Sequence, residues 1–530
     1  MTVRLEIAGP SLDDVARVAR DGAQVELTDE ARSRMRASRR LVEDVLASGE
    51  AVYGVNTGFG KLKDKRVEVR DLSALQTNLV RSHASGVGAP MPVETVRAMG
   101  FLRAASLALG FSGVRVELVE HVIRLLNAGV HPVVPAQGSV GASGDLAPLA
   151  HFALVLLGEG RAEVGGRIVS GAEGLAAAGL EPVHLAPKEG LALINGTQQS
   201  TAYLVLALHD AERLAEAALA AGALSLEALQ GSAIPLSESV AAARPHEGHA
   251  VAADRLRRLL AGSAIAAAHA ECDRIQDPYS LRCLPQVAGA TLDGLRFARR
   301  LAERELASAT DNPLVFAGVD ASRPWRERIV SAGNFHAQAV GLAADVAAVA
   351  LSPLLTQSER RTYLLLDDEW SGLAPFLARH AGLESGLMLV QYTAAALVSE
   401  VKTLAHPATA DSIPTSAGME DHVSMAPWAG RKLAAVLDNA RRIVACELVV
   451  AAAALDARRP LRPGAGCEAV HAALRRIVAP HEADRSPAGD LEAVAQWIAA
   501  DGVRRALSEG GIEWPRLFAA DAGAAQRVRE

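Results

Sequence analysis

Helical spacing dominates the pattern of hydrophobic and polar residues along the chain. One such segment starts at Thr28, which can cap it, and stops at Gly49. Within it Ala31, Met35 and Val42 recur on one helical face. The same spacing predicts further helices near residues 94–109, 113–128, 146–158, 200–230, 248–272, 286–309, 334–357, 384–404, 429–456 and 487–507. We therefore expect a mainly α-helical fold.

Several of these segments are apolar on nearly every face, for example LVVAAAALDA from Leu448 to Ala457. In a soluble protein such a helix belongs at the centre of a bundle or at a large subunit interface. Alanine keeps helices thin, so that their backbones can approach closely. We expect residues 201–530 to form a central and C-terminal helical bundle, and residues 1–200 to form a smaller region that carries the active-site loops.

Strand patterns are few. The stretch RAEVGGRIVSG, residues 161–171, predicts a hairpin that turns at Gly165-Gly166. The stretch TVRLEIAG near the start predicts another strand. We expect little β structure, and we expect it in the N-terminal region.

The composition of the chain limits the binding partners and the cellular compartment that we expect. The formal net charge is −7 and the basic residues are scattered, which predicts no nucleic-acid partner. The cysteines show no close metal-ligand pairing and are too few for a disulfide scaffold, which is typical of a reducing compartment; they are Cys272, Cys283, Cys446 and Cys467. The first twenty residues lack the pattern of a signal peptide. The apolar run Ala339–Leu355 contains Asp345 and Pro353, which argues against a membrane span. We expect a cytoplasmic protein without a membrane partner.

Two polar segments between the helices contain tyrosines. YGVNTGFG begins at Tyr53, and its three glycines allow a loop that approaches a ligand closely, although an ordinary turn explains them equally well. QDPYSLRCLPQ begins at Gln276 and places Arg282 three residues after Tyr279. A tyrosine can transfer protons if positive potential lowers its pKa, and an arginine fork suits a carboxylate. The alternatives are a surface tyrosine and an arginine that binds a loop carbonyl.

Other polar residues also have ordinary structural explanations. Asn195 in INGTQQS can cap a helix, and His83 in SHASGVGAP and Glu420 in DSIPTSAGMEDHVSM can be structural. The stretch PHEGH, residues 245–249, lacks the spacing that places two metal ligands one helical turn apart. We expect no metal site.

The stretch GASGDLAPLAH, residues 141–151, raises the sharpest question, which is the role of Ser143. A hydrolase elbow has the pattern G-x-S-x-G, but Asp145 stands at the last position here. A helix cap is a second interpretation. In the third, the unhindered Gly144 nitrogen attacks the Ala142 carbonyl and closes a five-membered ring. Loss of water, including the serine hydroxyl, would then leave an exocyclic methylidene, an electrophile that ordinary side chains cannot supply.

The third interpretation matches a known family. GSVGASGDLAPLAH resembles the signature of the aromatic amino acid ammonia-lyases, in which Ala-Ser-Gly forms a methylidene-imidazolone group autocatalytically. Five further stretches occur in the order that this family shows, namely YGVNTGFG, INGTQQS, QDPYSLR, GNFHAQ and EDHVSM. Together they cover the chain from about residue 50 to 430. Six motifs in order are highly specific.

The resemblance implies a 4-methylidene-imidazol-5-one group made from Ala142, Ser143 and Gly144. It also implies the roles of the remaining site residues, with Tyr279 as the base that removes a β-proton and Arg282 as the ligand of the substrate carboxylate. Tyr53 would assist near the amine, Asn195 and Gln276 would hydrogen-bond the prosthetic group and the substrate, Phe335 would line the site, and His83 and Glu420 would face the substrate side chain.

The resemblance further implies a homotetramer whose active sites each combine residues from three chains. Within the family the chain looks most like the bacterial members that act on histidine. A departure stands at Gly418-Met419, where the family more usually shows Asn-Gln before the glutamate.

His83 and Glu420 predict L-histidine as the substrate, with trans-urocanate and ammonia as products. A neutral imidazole has one donor and one acceptor, which a carboxylate and a histidine can satisfy, whereas a phenylalanine ring offers no partner. Tyrosine is the competing substrate, since a histidine can also bond a phenol. A tyrosine or phenylalanine ammonia-lyase, a related aminomutase, a serine hydrolase that uses Ser143 and a catalytically silent helical scaffold remain as alternatives.

Overall fold

A computed structural model describes residues 2–57, 67–270 and 274–518 of the chain. These residues form two compact units. Unit 1 lies within Met1–His209, Arg299–Asp345 and Pro407–Arg431, and unit 2 within Asp210–Ala298, Val346–His406 and Lys432–Glu530. The division of the chain near residue 200 stays a prediction.

Short and medium helices make up most of unit 1. They are Leu12–Arg20, Asp29–Ser48, Leu72–His83, Val93–Ala108, Val116–Asn127, Leu146–Leu156, Gly171–Ala177, Glu189–Ile194 and Trp325–Arg328, with 3₁₀ turns at Val69–Asp71 and Ser416–Gly418. Small sheets accompany them. Thr2–Leu5 pairs in parallel with Gln24–Leu27. The antiparallel pairs are Val87–Pro90 with Pro135–Gln137, Val130–Pro132 with Arg161–Val164, Arg161–Val164 with Arg167–Ser170, and Leu314–Val315 with Ile329–Val330. The predicted hairpin at 161–171 and the predicted first strand are both present.

The helix Asp29–Ser48 shows how local sequence sets an element and then buries it. The Thr28 hydroxyl accepts the Ala31 amide at 3.3 Å, which satisfies one of the unpaired N–H groups of the first turn. The helix ends at Gly49, whose φ of 73° is in the left-handed region that glycine adopts readily. Its inner face joins a hydrophobic cluster that includes Val42, Val55 and Val315. Both predicted ends of this helix are confirmed.

Unit 2 is helical in its described residues. It contains Glu238–Ala243, Glu247–Leu260, Ala264–Ala268, Tyr279–Arg282, Asp368–Ser371, Met388–Leu404, Ala465–Arg475, Ala488–Ala499 and Gly502–Glu509, with 3₁₀ turns at Ile234–Leu236 and Pro375–Leu377. Most residues of the four longest helices also belong to it, and these are Gln198–Ala228, Leu284–Leu306, Gln338–Leu366 and Ala426–Ala457. The mainly α-helical fold is therefore confirmed.

Small residues let the long helices of unit 2 pack closely. A Cβ atom on Gly222 would lie 2.7 Å from Cδ2 of Leu284, so that the two helices meet where one of them has no side chain. Around Gly222 the chain reads ALAAGALSLEAL, and these residues are almost all fully buried. Alanine has the expected role of allowing close packing here, and Gly222 adds to it.

Three predicted helices are wrong in extent. The helix predicted over 334–357 continues to Leu366, and the other two contain breaks. The helix predicted over 248–272 ends at Leu260, because Gly262 adopts a left-handed φ of 78° and Ser263 caps the next short helix, Ala264–Ala268. The helix predicted over 487–507 is two helices, separated where Asp501 adopts a φ of 60°. Turn residues stand at both breaks, Gly262-Ser263 and Asp501-Gly502, although the helical spacing of apolar residues continues on either side of them.

The helix Gln338–Leu366 is long and apolar enough to cross a bilayer, although just over half of its most apolar stretch is buried inside the protein. Core helices of soluble proteins have the same length and composition. Asp345 is buried in it and accepts the Thr409 amide and hydroxyl, each at 2.8 Å. The absence of a membrane partner stays a prediction.

Candidate active site

The loop of residues 138–145, called here the Ser143 loop, leads into the helix Leu146–Leu156 in unit 1. Its path requires glycine at two places. A Cβ on Gly144, whose φ is +78°, would lie 2.2 Å from the Gly196 carbonyl oxygen. A Cβ on Gly141, whose φ is +71°, would lie 2.2 Å from the Ser424 hydroxyl. Since neither contact is possible for a larger residue, the glycines bring three distant segments of chain together.

Backbone hydrogen bonds fix these segments in place. The Asp145 amide donates to the Gly196 carbonyl at 2.6 Å, and Gly144 and Gly196 form a parallel bridge. On the other side of the loop, the Met425 amide donates to the Val140 carbonyl at 3.0 Å. The Ser143 loop is thus held between the segments that contain Asn195 and Glu420.

Ser143 is bound on two sides by these segments. Its hydroxyl donates to Oε1 of Glu420 at 2.6 Å, and its carbonyl accepts Nδ2 of Asn195 at 2.8 Å. The serine therefore does not cap the following helix. Asp145, at the N-terminal cap position, makes no side-chain cap bond either. A catalytic triad would need a histidine at the serine hydroxyl, and the observed partner is a carboxylate.

Glu420 is held by its own loop. Oε2 accepts the Thr415 hydroxyl at 2.6 Å, and the two residues form an antiparallel bridge. Between them the chain turns tightly, with Ala417 at a φ of 51°. This geometry directs one carboxylate oxygen at Ser143 and the other at Thr415.

The buried guanidinium of Arg103 binds the backbone of Asn195. The Arg103 guanidinium donates to the Asn195 carbonyl at 2.7 Å and to Oε1 of Gln198 at 3.0 Å. Burial lowers the pKa of Arg103 to about 10, and the attraction of Asp311 opposes the shift, so Arg103 is charged at neutral pH. Asp311 itself forms a fully buried ion pair with Lys188 at 2.6 Å. Oδ1 of Asn195 is buried and has no hydrogen-bond partner in the part of the chain that the structure describes.

Asp145 is the last residue of the Ser143 loop, and it is fully buried. Its carboxylate accepts the Ser200 amide at 2.8 Å and the Ser200 hydroxyl at 2.9 Å. Burial raises the pKa of Asp145 to about 7, although both bonds to Ser200 favour the charged form. A carboxyl group that titrates near neutral pH therefore supports the loop.

The structure places the other predicted residues of unit 1 as follows. Nδ1 of His83 lies 2.8 Å from the Leu79 carbonyl, which can only accept, so Nδ1 carries the proton and Nε2 is the acceptor of the neutral ring. Tyr53 and Phe335 are half-buried in turns. The last three residues of YGVNTGFG, numbered 58–60, lie outside the described residues.

The remaining predicted residues belong to unit 2. Tyr279 and Arg282 are the first and last residues of a four-residue helical turn, and the Arg282 guanidinium carbon lies 4.8 Å from the centroid of the Tyr279 ring. The Tyr279 side chain is exposed, as is Gln276. Nε of Arg282 is buried and has no hydrogen-bond partner among the described residues. One turn thus presents the phenol and the guanidinium together, as their spacing predicts.

The residues of unit 1 fit the predicted prosthetic group. The Gly144 nitrogen belongs to a residue without a side chain, and the adjoining Ser143 carbonyl already receives the Asn195 amide. The unpaired Oδ1 of Asn195 is a second polar atom at the same place. A ring made from residues 142–144 would keep the hydrogen bond from Asn195, because that bond is to a carbonyl oxygen.

Three supporting residues were missed by sequence reasoning, namely Thr415, Ser424 and Arg103. Thr415 and Ser424 lie within the polar stretch that contains Glu420. The polar composition of this stretch indicates a candidate segment, but it does not indicate which residues these two side chains contact. Arg103 left a clearer signal, because it is a charged residue in the otherwise apolar run MGFLRAASLALG. Among the described residues no group of three or more His, Cys, Asp or Glu could hold a metal, and the lack of a metal stays a prediction.

The family model for aromatic amino acid lyases matches residues 11–476. The chain belongs to this family, as its motifs predict. A histidine ammonia-lyase of Sorangium cellulosum is 52% identical over 503 residues, which cover 94% of this chain and 98% of that protein.

Two solved structures are also similar. The crystal structure of histidine ammonia-lyase from Trypanosoma cruzi has a TM-score of 0.89 at 38% identity and covers 98% of this chain and 97% of its own. The structure of tyrosine aminomutase from Streptomyces globisporus has a TM-score of 0.91 at 35% identity and covers 97% of this chain and 100% of its own. The fold is therefore shared by proteins named for different aromatic substrates.

The raised pKa of Asp145 predicts a pH dependence of stability. From its ordinary value of 3.8 up to about 7 the folded protein holds a proton that the unfolded chain has released, so unfolding becomes easier as the pH rises through this range. Asp145→Asn removes this contribution while it can still accept the Ser200 amide. The parent should lose stability relative to the variant by at most about 1.4 kcal/mol per pH unit, and the difference should level off above pH 7. Denaturant unfolding of both proteins from pH 5 to 8 measures it, and parallel profiles would contradict the assignment.

Proposed function

We propose that this chain is a histidine ammonia-lyase, which eliminates ammonia from L-histidine without oxidation and releases trans-urocanate. The observation that carries the proposal is the Ala142-Ser143-Gly144 triplet held between Asn195 and Glu420. Membership of the aromatic amino acid lyase family and the 52% identity with a protein of that name support it.

The triplet matures by losing two water molecules. The Gly144 nitrogen bonds to the Ala142 carbonyl carbon, and the Ala142 oxygen leaves as water with the amide hydrogens of Gly144 and Ser143 while a C=N bond forms to the Ser143 nitrogen. The Ser143 hydroxyl leaves as a second water together with the hydrogen on its Cα. The resulting 4-methylidene-imidazol-5-one supplies an electrophile that draws electrons from the substrate. A weakly acidic β-proton and a poor leaving group both need such help.

Glu420 changes its partner when the hydroxyl of Ser143 is lost. In the unmodified chain Oε1 of Glu420 accepts this hydroxyl at 2.6 Å. After dehydration the same oxygen has no hydroxyl to accept, and it is available for an imidazole N–H beside the reacting centre. Thr415 continues to hold the other oxygen. His83 offers a second acceptor, Nε2, to the substrate ring.

The exposed turn of Tyr279 and Arg282 supplies the proton transfer and the carboxylate site. Tyr279 acts as the base that removes the β-proton, and the Arg282 guanidinium lies against its ring, 4.8 Å from the centroid. Arg282 binds the substrate carboxylate through its fork. Tyr53 acts near the amine and the departing ammonia, Gln276 hydrogen-bonds in the site, and Phe335 lines it.

The chain works as a homotetramer in the cytoplasm, and each site combines residues from three subunits. The long apolar helices that are expected to need a partner surface support this assembly. Several large apolar side chains are exposed on the described residues, including Leu389 and Tyr392 on the helix Met388–Leu404. The described cysteines, Cys283, Cys446 and Cys467, are free, as in a reducing compartment.

The prosthetic group can be tested by mass. We expect the intact mature chain to be lighter than its encoded mass by two water molecules and to absorb in the near ultraviolet. Ser143→Ala should keep the full encoded mass, lose the absorbance and lose nearly all activity while remaining folded. An active preparation at the encoded mass would overturn the proposal, and labelling of Ser143 by a fluorophosphonate would point to a serine hydrolase instead.

Two substitutions in the turn separate proton transfer from binding. Tyr279→Phe removes the base and should lower kcat by about 100-fold or more. Arg282→Lys keeps the charge but loses the fork, so it should mainly raise KM. Steady-state rates with L-histidine measure both effects. Unchanged turnover in Tyr279→Phe would show that another group removes the proton.

The substrate is tested by offering L-histidine, L-tyrosine and L-phenylalanine to one preparation and identifying the products by mass spectrometry. Histidine should be preferred, because phenylalanine leaves His83 and Glu420 without partners at a cost of about 1–3 kcal/mol for each neutral group. Preference for tyrosine would refute the histidine assignment and keep the lyase chemistry. Formation of a β-amino acid would identify an aminomutase, the alternative that the fold similarity to tyrosine aminomutase favours.

A further inference from the structure

The turn Tyr279–Arg282 has little structure of its own to hold it. It contains four residues, and its local backbone bonds run from the Leu281 and Arg282 amides to the Pro278 carbonyl, at 3.0 and 2.9 Å, and from the Cys283 amide to the Tyr279 carbonyl at 2.8 Å. The Tyr279 side chain is 70% exposed. The position of the phenol therefore depends on what fixes the backbone of the turn within unit 2.

A fully buried ion pair lies directly behind this turn. Nε and Nη2 of Arg361, on the helix Gln338–Leu366, donate to the two carboxylate oxygens of Glu447 on the helix Ala426–Ala457. Both side chains are inaccessible to solvent. The Ser225 hydroxyl donates to the same carboxylate at 2.7 Å. Glu447 thus holds the guanidinium plane in one orientation.

The third nitrogen of Arg361 reaches the turn. Nη1 donates to the Ser280 carbonyl at 3.2 Å, and Ser280 is the residue after Tyr279. One helical turn earlier, Nε2 of Gln357 lies 3.5 Å from the Tyr279 carbonyl, at the limit of a hydrogen bond. Two consecutive carbonyls of the turn therefore face donors on a single helix.

Stability alone does not account for this arrangement. Charged groups lose much of their hydration when they are buried, and a well-packed apolar pair of similar volume often stabilises a protein equally well. An apolar pair cannot, however, donate to the Ser280 carbonyl. The guanidinium satisfies Glu447 and the turn at once, because its donors are arranged in a rigid plane.

We propose that Arg361, oriented by Glu447, is a positioning residue that sets the place of Tyr279 for proton abstraction. This inference rests on the proposed role of Tyr279 as the base. Arg361 acts through the backbone of the turn and does not touch the substrate. Arg282 is carried on the same turn, so carboxylate binding depends on the same anchor.

The test is a double-mutant cycle between Arg361→Lys and Tyr279→Phe, assayed with L-histidine. Lysine keeps a charge opposite Glu447 and loses the planar fork. In the parent, Arg361→Lys should lower kcat by about 10- to 100-fold, the loss expected from a small displacement of a reacting group. In the Tyr279→Phe background it should change kcat by no more than about twofold, because the group that it positions is already absent. Any rise in KM through Arg282 should persist in both backgrounds.

Arg360→Lys is the matched control. Arg360 is the preceding residue on the same helix, its side chain is half exposed, and it pairs with Glu359 rather than with the turn. This variant should keep the kcat of the parent. Hydrogen exchange of the peptide that spans residues 276–284 gives a readout besides activity. Exchange should accelerate in Arg361→Lys and not in Arg360→Lys.

The outcomes separate the two hypotheses. Normal turnover in Tyr279→Phe would refute the proposed base. An impaired Tyr279→Phe together with an unaffected Arg361→Lys, or with equal losses from Arg361→Lys in both backgrounds, would overturn the positioning role. If Arg361→Lys does not fold, Gln357→Ala decides the matter. A kcat within about twofold of the parent and unchanged exchange at 276–284 would then reject the anchoring of the turn by this helix.

Discussion

The close approach of the Gly144 and Gly196 backbones is the constraint on which the site depends. Because neither segment carries a side chain at the crossing, the Asp145 amide reaches the Gly196 carbonyl at 2.6 Å. This crossing places the adjoining residues Asn195 and Ser143 side by side, and the Asn195 side-chain amide donates to the Ser143 carbonyl. A single methyl group at position 144 would lie 2.2 Å from a backbone oxygen and would separate the two segments.

Buried ionisable side chains bind the residues next to this crossing. Arg103 binds the Asn195 carbonyl, Asp145 binds Ser200, and Lys188 pairs with Asp311. Each group has lost its hydration, and each is compensated by a partner at hydrogen-bond distance. Such a network is costly if one member is missing, and when it is complete it holds the loop more rigidly than apolar packing would.

Much of the fold could be predicted from the sequence, and the reason lies in local physics. Thr28 and Gly49 bound a helix through groups within a few residues of each end. The break after Leu260 is also local, since Gly262 adopts a left-handed φ of 78° and Ser263 caps the next helix, but the apolar spacing on both sides conceals it. The contacts of the site, in contrast, are not local. Motif order identified Ser143, Asn195 and Glu420, but their contacts join residues that are up to 277 positions apart, and periodicity carries no information about such distances.

The hydrogen bond between Ser143 and Glu420 bears on the order in which this chain folds and is modified. The bond requires a hydroxyl that the proposed prosthetic group would lack, so under this proposal the chain that first folds and the chain that later works differ chemically. Folding would precede and enable the cyclisation, and the cyclisation would then remove one of the contacts that folding used. Heating and cooling the mature protein would therefore not retrace its original path, because the refolding chain would carry a preformed ring where the nascent chain had three ordinary residues. The native state of the mature protein would then depend on this earlier reaction as well as on the sequence.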